Sequence, residues 1–496
     1  MSSARKMSSA RTMTTRMTSE PLERAEQGGS VGVLFFFFAA ALIYGVFFMG
    51  MPISQARIVD RQYRDIFLFA IGVLGVIAGF TARPRGFSTR EGRIIVASAI
   101  ALPCYALFQI VPLPVAVVGL LSPVRAELVR ALTPITGPHQ FASISIVPAA
   151  TFTHFLLLIS YCVIFFAAWE FAARAREKAW AIAFPVVLAA AVEAIFGLMQ
   201  LFSGADNATV RGTYTVKNHF SGLLELALPF PAMYTFAVLR DAPPRGYIDA
   251  ATAGRVAAGA ALTVLLTTGM LSSLSRGGLV ATMASALVMA AVATNWNMPL
   301  RRKFATACLF CLLAVLALFY LTPMSLVARF AQHDTAGRYS VWREGIGILA
   351  QYPLVGCGLG GFESAFLKFK SVEGIIVVDY AHNDYLQLLA ELGIAGFLIV
   401  AVLLGSVAKR VTRITDDVSD IRWVGLACVG SLTAIVVHSA MDFNLYVAAN
   451  AAVLAWICGL ATGLRPPERF PRAGAMEGEP VMEHGSVSPR RPMPFR

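Results

Sequence analysis

Residues 387–408 read QLLAELGIAGFLIVAVLLGSVA, and Glu391 is their one ionisable side chain. A helix of about 20 apolar residues crosses the hydrocarbon core of a bilayer. This stretch is long enough, and in lipid it must be helical, because the solvent offers no partner to an open backbone group. Working outward, the same character recurs at 31–53, 65–81, 94–113, 151–173, 179–202, 218–239, 256–272, 279–294, 304–322, 423–440 and 446–464. The fold class expected is therefore an all-α polytopic integral membrane protein with about 12 transmembrane helices. Composition agrees. Of 496 residues, 57% are hydrophobic and 14% charged, against roughly 45–50% and about 25% in soluble domains. Mean hydropathy is +0.66. These values exclude a disordered, collagen-like or ordinary soluble protein.

Lys and Arg set the orientation. With the N-terminus inside, the inner segments hold 28 of the 41 basic residues and the outer loops 13. Short connections such as Arg174–Lys178 and Arg301–Lys303 carry the bias, so both termini are expected in the cytoplasm. The net charge of +12 then reads as orientation and contact with anionic membrane lipids. No nucleic-acid partner is expected, because no soluble module gathers the basic residues. Residues 1–30 and 465–496 are expected to be disordered cytoplasmic segments flanking a membrane domain over 31–464. No cleaved signal peptide is expected, since the apolar run after residue 30 is long enough to span. Six of the seven cysteines, including Cys308 and Cys311, fall in apolar runs and suit packing; Cys357 alone lies in a loop.

Two outer loops are long, 114–150 and 323–386, and loops of that length are functional or disordered. The second is patterned. It carries Arg338-Tyr-Ser-Val-Trp342-Arg343-Glu344, a glycine series at Gly356, Gly358, Gly360 and Gly361, and His382-Asn383-Asp384-Tyr385 at the mouth of the 387–408 span. Residues 336–351 suit a helix with Arg338, Trp342 and Gly345 on one face and Tyr339, Arg343 and Ile346 on another. Only one of the two arginines can then face a given ligand. The glycines have no βαβ context, so a nucleotide loop is rejected. They are expected to bend the chain for close packing against helices. Further outer features are Arg211-Gly-Thr-Tyr-Thr-Val-Lys217-Asn218-His219-Phe220, Ser275-Arg276-Gly277-Gly278 and His438-Ser-Ala-Met-Asp442-Phe443-Asn444. An arginine among small residues at a helix junction is costly near lipid unless a polar cavity or partner receives it. Glu193 and Glu225, inside spans, are functional suspects for the same reason, or else pair with helix ends.

From about residue 95 to 464 these motifs resemble the O-antigen ligase and O-antigen polymerase family of bacterial inner-membrane glycosyltransferases. The resemblance is carried by Gln109-Ile-Val-Pro112-Leu-Pro114 with Leu121-Ser-Pro123, and by Ser143-Ile-Ser145 with Pro148. It continues through Gly212-Thr-Tyr214 with Asn218-His219-Phe220, Ser275-Arg276-Gly277, Arg338 with Trp342, and Gly356-Cys-Gly358. His382-Asn-Asp-Tyr-Leu-Gln387 with Glu391-Leu-Gly393, and His438 to Leu445, complete the set. The resemblance implies a fold similar to large polytopic glycosyltransferases. It also implies transfer of a glycan from undecaprenyl diphosphate to a hydroxyl of lipid A-core or of a growing glycan, at the periplasmic face and without a metal or other cofactor. Arg276, Arg338 and His382 would be its catalytic residues; Arg211, Asn218, His219, Trp342 and Arg343 are candidate substrate contacts.

The residue types fit that chemistry. Charge builds on the diphosphate leaving group, and arginine, always protonated, can grip two phosphate oxygens. No carboxylate cluster suited to a metal appears in an outer loop. His382, at a helix N-terminus where the positive dipole end disfavours a second positive charge, suits a general base for the acceptor hydroxyl. Asp384 or Asp379 is the expected partner to orient its ring. Ligase is favoured over a polymerase of O-antigen or exopolysaccharide; a protein O-glycosylating transferase is a third option. A transporter or flippase is the reading from another class. Such folds show two similar halves and groups at the membrane midplane, and here the halves do not match and the polar groups gather in outer loops.

Overall fold

The computed structural model describes residues 31–50, 58–81, 89–202, 210–242, 249–293, 336–371, 377–415 and 421–464. The span expected at 304–322, both terminal segments, Cys308 and Cys311 lie outside the described residues. The other eleven expected spans are helical, and the all-α membrane class holds.

In chain order the helices are α1 Val31–Phe48, α2 Ile58–Thr81, α3 Arg90–Ile110, α4 Val115–Leu121, α5 Pro123–Thr136, α6 Pro148–Arg174, α7 Ala179–Met199, α8 Lys217–Ala227 and α9 Pro229–Asp241. They continue with α10 Ala250–Ser272, α11 Arg276–Ala293, α12 Ala336–Gln351, α13 Phe362–Phe366, α14 Asp384–Ile414, α15 Ile421–Ser439 and α16 Ala448–Gly463. Local chemistry sets the ends. Thr89 caps α3 by accepting from Gly92 N at 3.0 Å, and Asp249 caps α10 through Thr252 N at 3.1 Å; both are orphan amides of a first turn. The expected single span at 218–239 is two helices, α8 and α9, meeting at Leu228 and Pro229. Proline at the first position of α9 has no amide to donate back to α8. The pair still runs as one apolar crossing.

The core has the small residues that membrane interfaces favour. α16 lies against α6. A Cβ on Gly459 would stand 2.2 Å from the Phe165 carbonyl oxygen, and one on Gly463 2.4 Å from that of Trp169. Glycine four residues apart lets the backbones touch. Large apolar side chains such as Phe36, Phe69, Val264 and Leu398 are exposed, as lipid-facing surface requires.

One end of the bundle carries the long loop structures among the described residues. There the 114–150 segment forms α4, α5 and a two-residue antiparallel pair, β1 Leu113–Pro114 with β2 Phe141–Ala142. α12, α13 and the glycine series cover the same end, and α14 is broken to receive them. At Gly393 the backbone turns left-handed, φ 63°. The groups released by the break are all met. Cys357 N and Gly358 N donate to the carbonyls of Ala390 and Glu391 at 2.9 and 3.0 Å, while Ile394 N and Ala395 N donate to Pro353 O and Leu354 O. From α3, Tyr105 Oη donates to Leu392 O at 2.8 Å and Gln109 Nε2 to Glu391 O at 2.9 Å and Val355 O at 2.8 Å. Irregular backbone at this depth is tolerated only when protein replaces the missing partners. The glycine series therefore does what the sequence suggested: it bends the loop into contact with helices.

Candidate functional site

The site centres on Asp442, in the short turn between α15 and α16. Its side chain is 1% exposed, and three other motifs meet on it. Asn218 Nδ2, at the start of α8, donates to Oδ2 at 2.6 Å. His382 Nδ1 lies 3.3 Å from Oδ1, and His219 Nε2 3.6 Å from the same oxygen. Arg338, on α12, places Nη2 3.9 Å from Oδ2 and donates through Nη1 to Met441 O at 3.0 Å. Burial pushes the Asp442 carboxyl up, but the His219 and His382 imidazoles outweigh that and hold it well below the usual carboxylate range. It is a buried anion. Above it lies the accessible layer: the side chains of Arg338 and His382 are 33% and 40% exposed.

Phe443 is the second centre. Tyr380 stacks on it at 4.2 Å, and the rings of His219 and His382 approach edge-on at 4.6 and 4.9 Å. Rings held this way have one orientation available. The His382 backbone is fixed as tightly. Trp342 Nε1 donates to Ala381 O at 2.8 Å, and Ala381 N donates to Gln387 Oε1 at 2.7 Å. Gln387 Nε2 donates in turn to Glu391 Oε1 at 2.9 Å. Asn383 then caps α14, its Oδ1 accepting from Tyr385 N and Leu386 N. Between these anchors His382 adopts φ 49°, and Leu274, two residues before Arg276, φ 53°. They are the two non-glycine residues with positive φ among the described residues. Strain of this kind costs about 1–3 kcal/mol and gathers at functional sites.

One expected contact is corrected. The carboxylate beside His382 is Asp442, while buried Asp384 is taken by Ser439 Oγ at 2.7 Å and Leu445 N at 3.3 Å. Asp384 is the helix-start residue, and its side chain serves the α15–α16 turn. Arg338 and Arg343 diverge as expected, and it is Arg338 that reaches the site, with Arg343 exposed on α12. Trp342, half-buried, holds the His382 loop through its Nε1. Arg211 is exposed and turned back on its own loop, Nη1 to Thr215 O at 3.2 Å. That loop is held from inside the membrane by Glu193, which accepts from Thr213 N at 2.9 Å and Thr213 Oγ1 at 2.7 Å. Arg276 opens α11, half-buried, with its neighbour Gly277 against the His438 ring. Asp442 was the residue missed; its signal was a lone carboxylate in a short connection, between His438 and Phe443.

Among the described residues no group of three or more His, Cys, Asp or Glu side chains is placed to hold a metal ion. The arrangement can orient an imidazole with Nε2 left open and present guanidinium groups to an anion.

Residues 261–401 match the family model described as O-Antigen ligase, Wzy_C. No curated protein matches the chain. The matched stretch runs from α10 into α14 and contains Arg276, Arg338, Trp342, Arg343, His382 and Gly393; Asn218, His219 and Asp442 lie outside it. Ten helices among the described residues are long and apolar enough to cross a membrane, so the chain is a polytopic membrane protein in which residues 261–401 are similar to the O-Antigen ligase family.

Proposed function

We propose that the chain is an O-antigen ligase-like glycosyltransferase of the bacterial inner membrane. It takes a glycan from undecaprenyl diphosphate and places it on a sugar hydroxyl of lipid A-core at the periplasmic face. The observation that carries this reading is the shared anchor: His382 and Arg338, from separate elements, are held by one buried carboxylate while both stay accessible. Asp442 accepts from Nδ1–H of His382, which leaves Nε2 as the acceptor of a proton. The acceptor oxygen attacks the anomeric carbon as its proton passes to Nε2. The bond from that carbon to the phosphate oxygen breaks, and undecaprenyl diphosphate leaves with the electron pair. Arg338 and Arg276 meet the negative charge that builds there. A preorganised donor of this kind is worth roughly 10²–10³ in rate. The Lys and Arg bias supports the periplasmic placement of this end.

The test is the lipopolysaccharide ladder of a deletion strain carrying wild-type protein, His382→Gln or Arg338→Ala. Wild type is expected to restore long O-chains on the core. Each variant is expected to leave bare core and accumulated lipid-linked polymer. Core bearing a single repeat would mark a polymerase instead, and a full ladder with both variants would remove the assignment of these residues.

A further inference from the structure

Glu225 on α8 and His438 on α15 meet inside the bundle, Oε1 to Nδ1 at 2.9 Å, with both side chains at 0–1% exposure. The transfer chemistry uses neither. Taking two ionisable groups out of water is costly and adds little net stability, so the pair needs another reason.

Its position supplies one. On the side-chain face of His438 lies the first turn of α11: a Cβ on Gly277 would stand 2.7 Å from Nε2, so the turn that carries Arg276 rests directly on the imidazole. Ser221, one helical turn before Glu225, meets that same turn at Gly278, where a Cβ would be 2.9 Å from the Ser221 Cβ. On the backbone face, the His438 carbonyl accepts from Met441 N at 2.8 Å and Asp442 N at 3.1 Å. These bonds close the turn that aims Asp442 at Asn218, His382 and Arg338. The ring of His438 is thus the floor of the Arg276 turn, and its backbone is the first residue of the Asp442 turn. Glu225, accepting from Nδ1, fixes the rotation of the ring.

We infer that the buried Glu225–His438 pair is a positioning couple that sets the Arg276 turn and the Asp442 turn in register. The inference rests on the transferase reading, in which Arg276 meets the donor phosphates and Asp442 orients His382. Neither Glu225 nor His438 touches substrate; they act through the residues they hold.

The experiment uses the full chain in proteoliposomes with a purified undecaprenyl-diphosphate-linked glycan and lipid A-core. His438→Gln is expected to lower kcat about 10- to 100-fold, since a misplacement of about 1 Å can cost up to about 10². On an Arg276→Lys or Asp442→Asn background the same change is expected to cost less than about threefold more, because groups that act as a unit are not additive. Losses that multiply fully on both backgrounds would overturn the couple, as a purely structural role gives that result. Gly277→Ala keeps both partners of the pair and presses a methyl into the ring. It is expected to reproduce the loss and its non-additivity, and wild-type kcat in that variant would overturn the proposal even if His438→Gln fails to fold. The two readings fail differently. If Arg276→Lys and Asp442→Asn alone leave transfer intact, the transferase assignment falls; if they impair it and His438→Gln is silent, the couple falls.

Discussion

Asp442 gives the site its single point of failure at the scale of a residue. Asn218, His382 and Arg338 come from α8, the loop before α14, and α12, and each is placed by the same two oxygens. Asp442→Asn keeps the shape and removes the charge, so the amide can no longer accept equally from both sides. Transfer in proteoliposomes is expected to fall about 10²-fold, the cost of a misaligned base, with the donor's KM changed far less. Wild-type turnover in this variant would detach the carboxylate from the chemistry. The same charge has a pH signature. Because the folded carboxyl is held well below the ordinary 3.8, its contribution to stability is full above that value and is lost as pH falls from there through the lower folded value. The detergent-solubilised wild type is therefore expected to lose its margin over Asp442→Asn below about pH 4, and thermal midpoints of the two against pH would show it. The cations were legible in the sequence, because charged side chains at helix junctions need a reason. Their anion was not: Asp384 and Asp379 lie closer to His382 along the chain, and only the folded path brings the α15–α16 turn under the ring.

At the scale of an element, the decisive object is the break in α14. In the sequence, Glu391-Leu-Gly393-Ile lies inside an unbroken apolar run, and a lone glycine there is compatible with a continuous helix. The glycine series at 356–361 predicted close packing, but nothing local marked where it would be received. The partner is non-local: Gln109, on α3, gives Nε2 to Val355 O and Glu391 O and accepts from Leu359 N at 3.1 Å. Two substitutions separate conformation from capping. Gly393→Ala would force a side chain into a positive-φ extended conformation, φ 63° and ψ −174°, that is essentially confined to glycine and costs about 1–3 kcal/mol. Its Cβ would also stand 2.4 Å from Leu354 O. Gln109→Leu keeps the volume and leaves buried carbonyls unmet, at about 1–3 kcal/mol per group. Both are expected to lower the thermal midpoint in detergent and to reduce transfer, since the segment between the break and His382 is the ladder Glu391–Gln387–Ala381 that positions the base. An unchanged midpoint in both would mean that the break is not held by these contacts.

At the scale of the whole molecule, spans were legible because lipid imposes one rule on every stretch that crosses it, and eleven of the expected twelve fall on described helices. What hydropathy could not show was which helices touch, since an apolar face toward lipid and one toward protein have the same composition; α16 against α6 is settled by Gly459 and Gly463. Orientation depends on a separate property, the excess of Lys and Arg in the inner connections. It assigns Arg211 and Arg343, both exposed at the site end, to the outside, and Arg413, 60% exposed at the far end of α14, to the inside. In a cysteine-free background, a membrane-impermeant maleimide on right-side-out vesicles is expected to label Arg211→Cys and Arg343→Cys at once, and Arg413→Cys only after the vesicles are opened. The logic is asymmetric. Lipid A-core and exported lipid-linked glycans are on the outer side of the membrane, so the proposed transfer requires the His382–Asp442 face to look that way. The reverse labelling pattern would turn it toward the cytoplasm, where the same arginines and histidine would have to serve a different reaction.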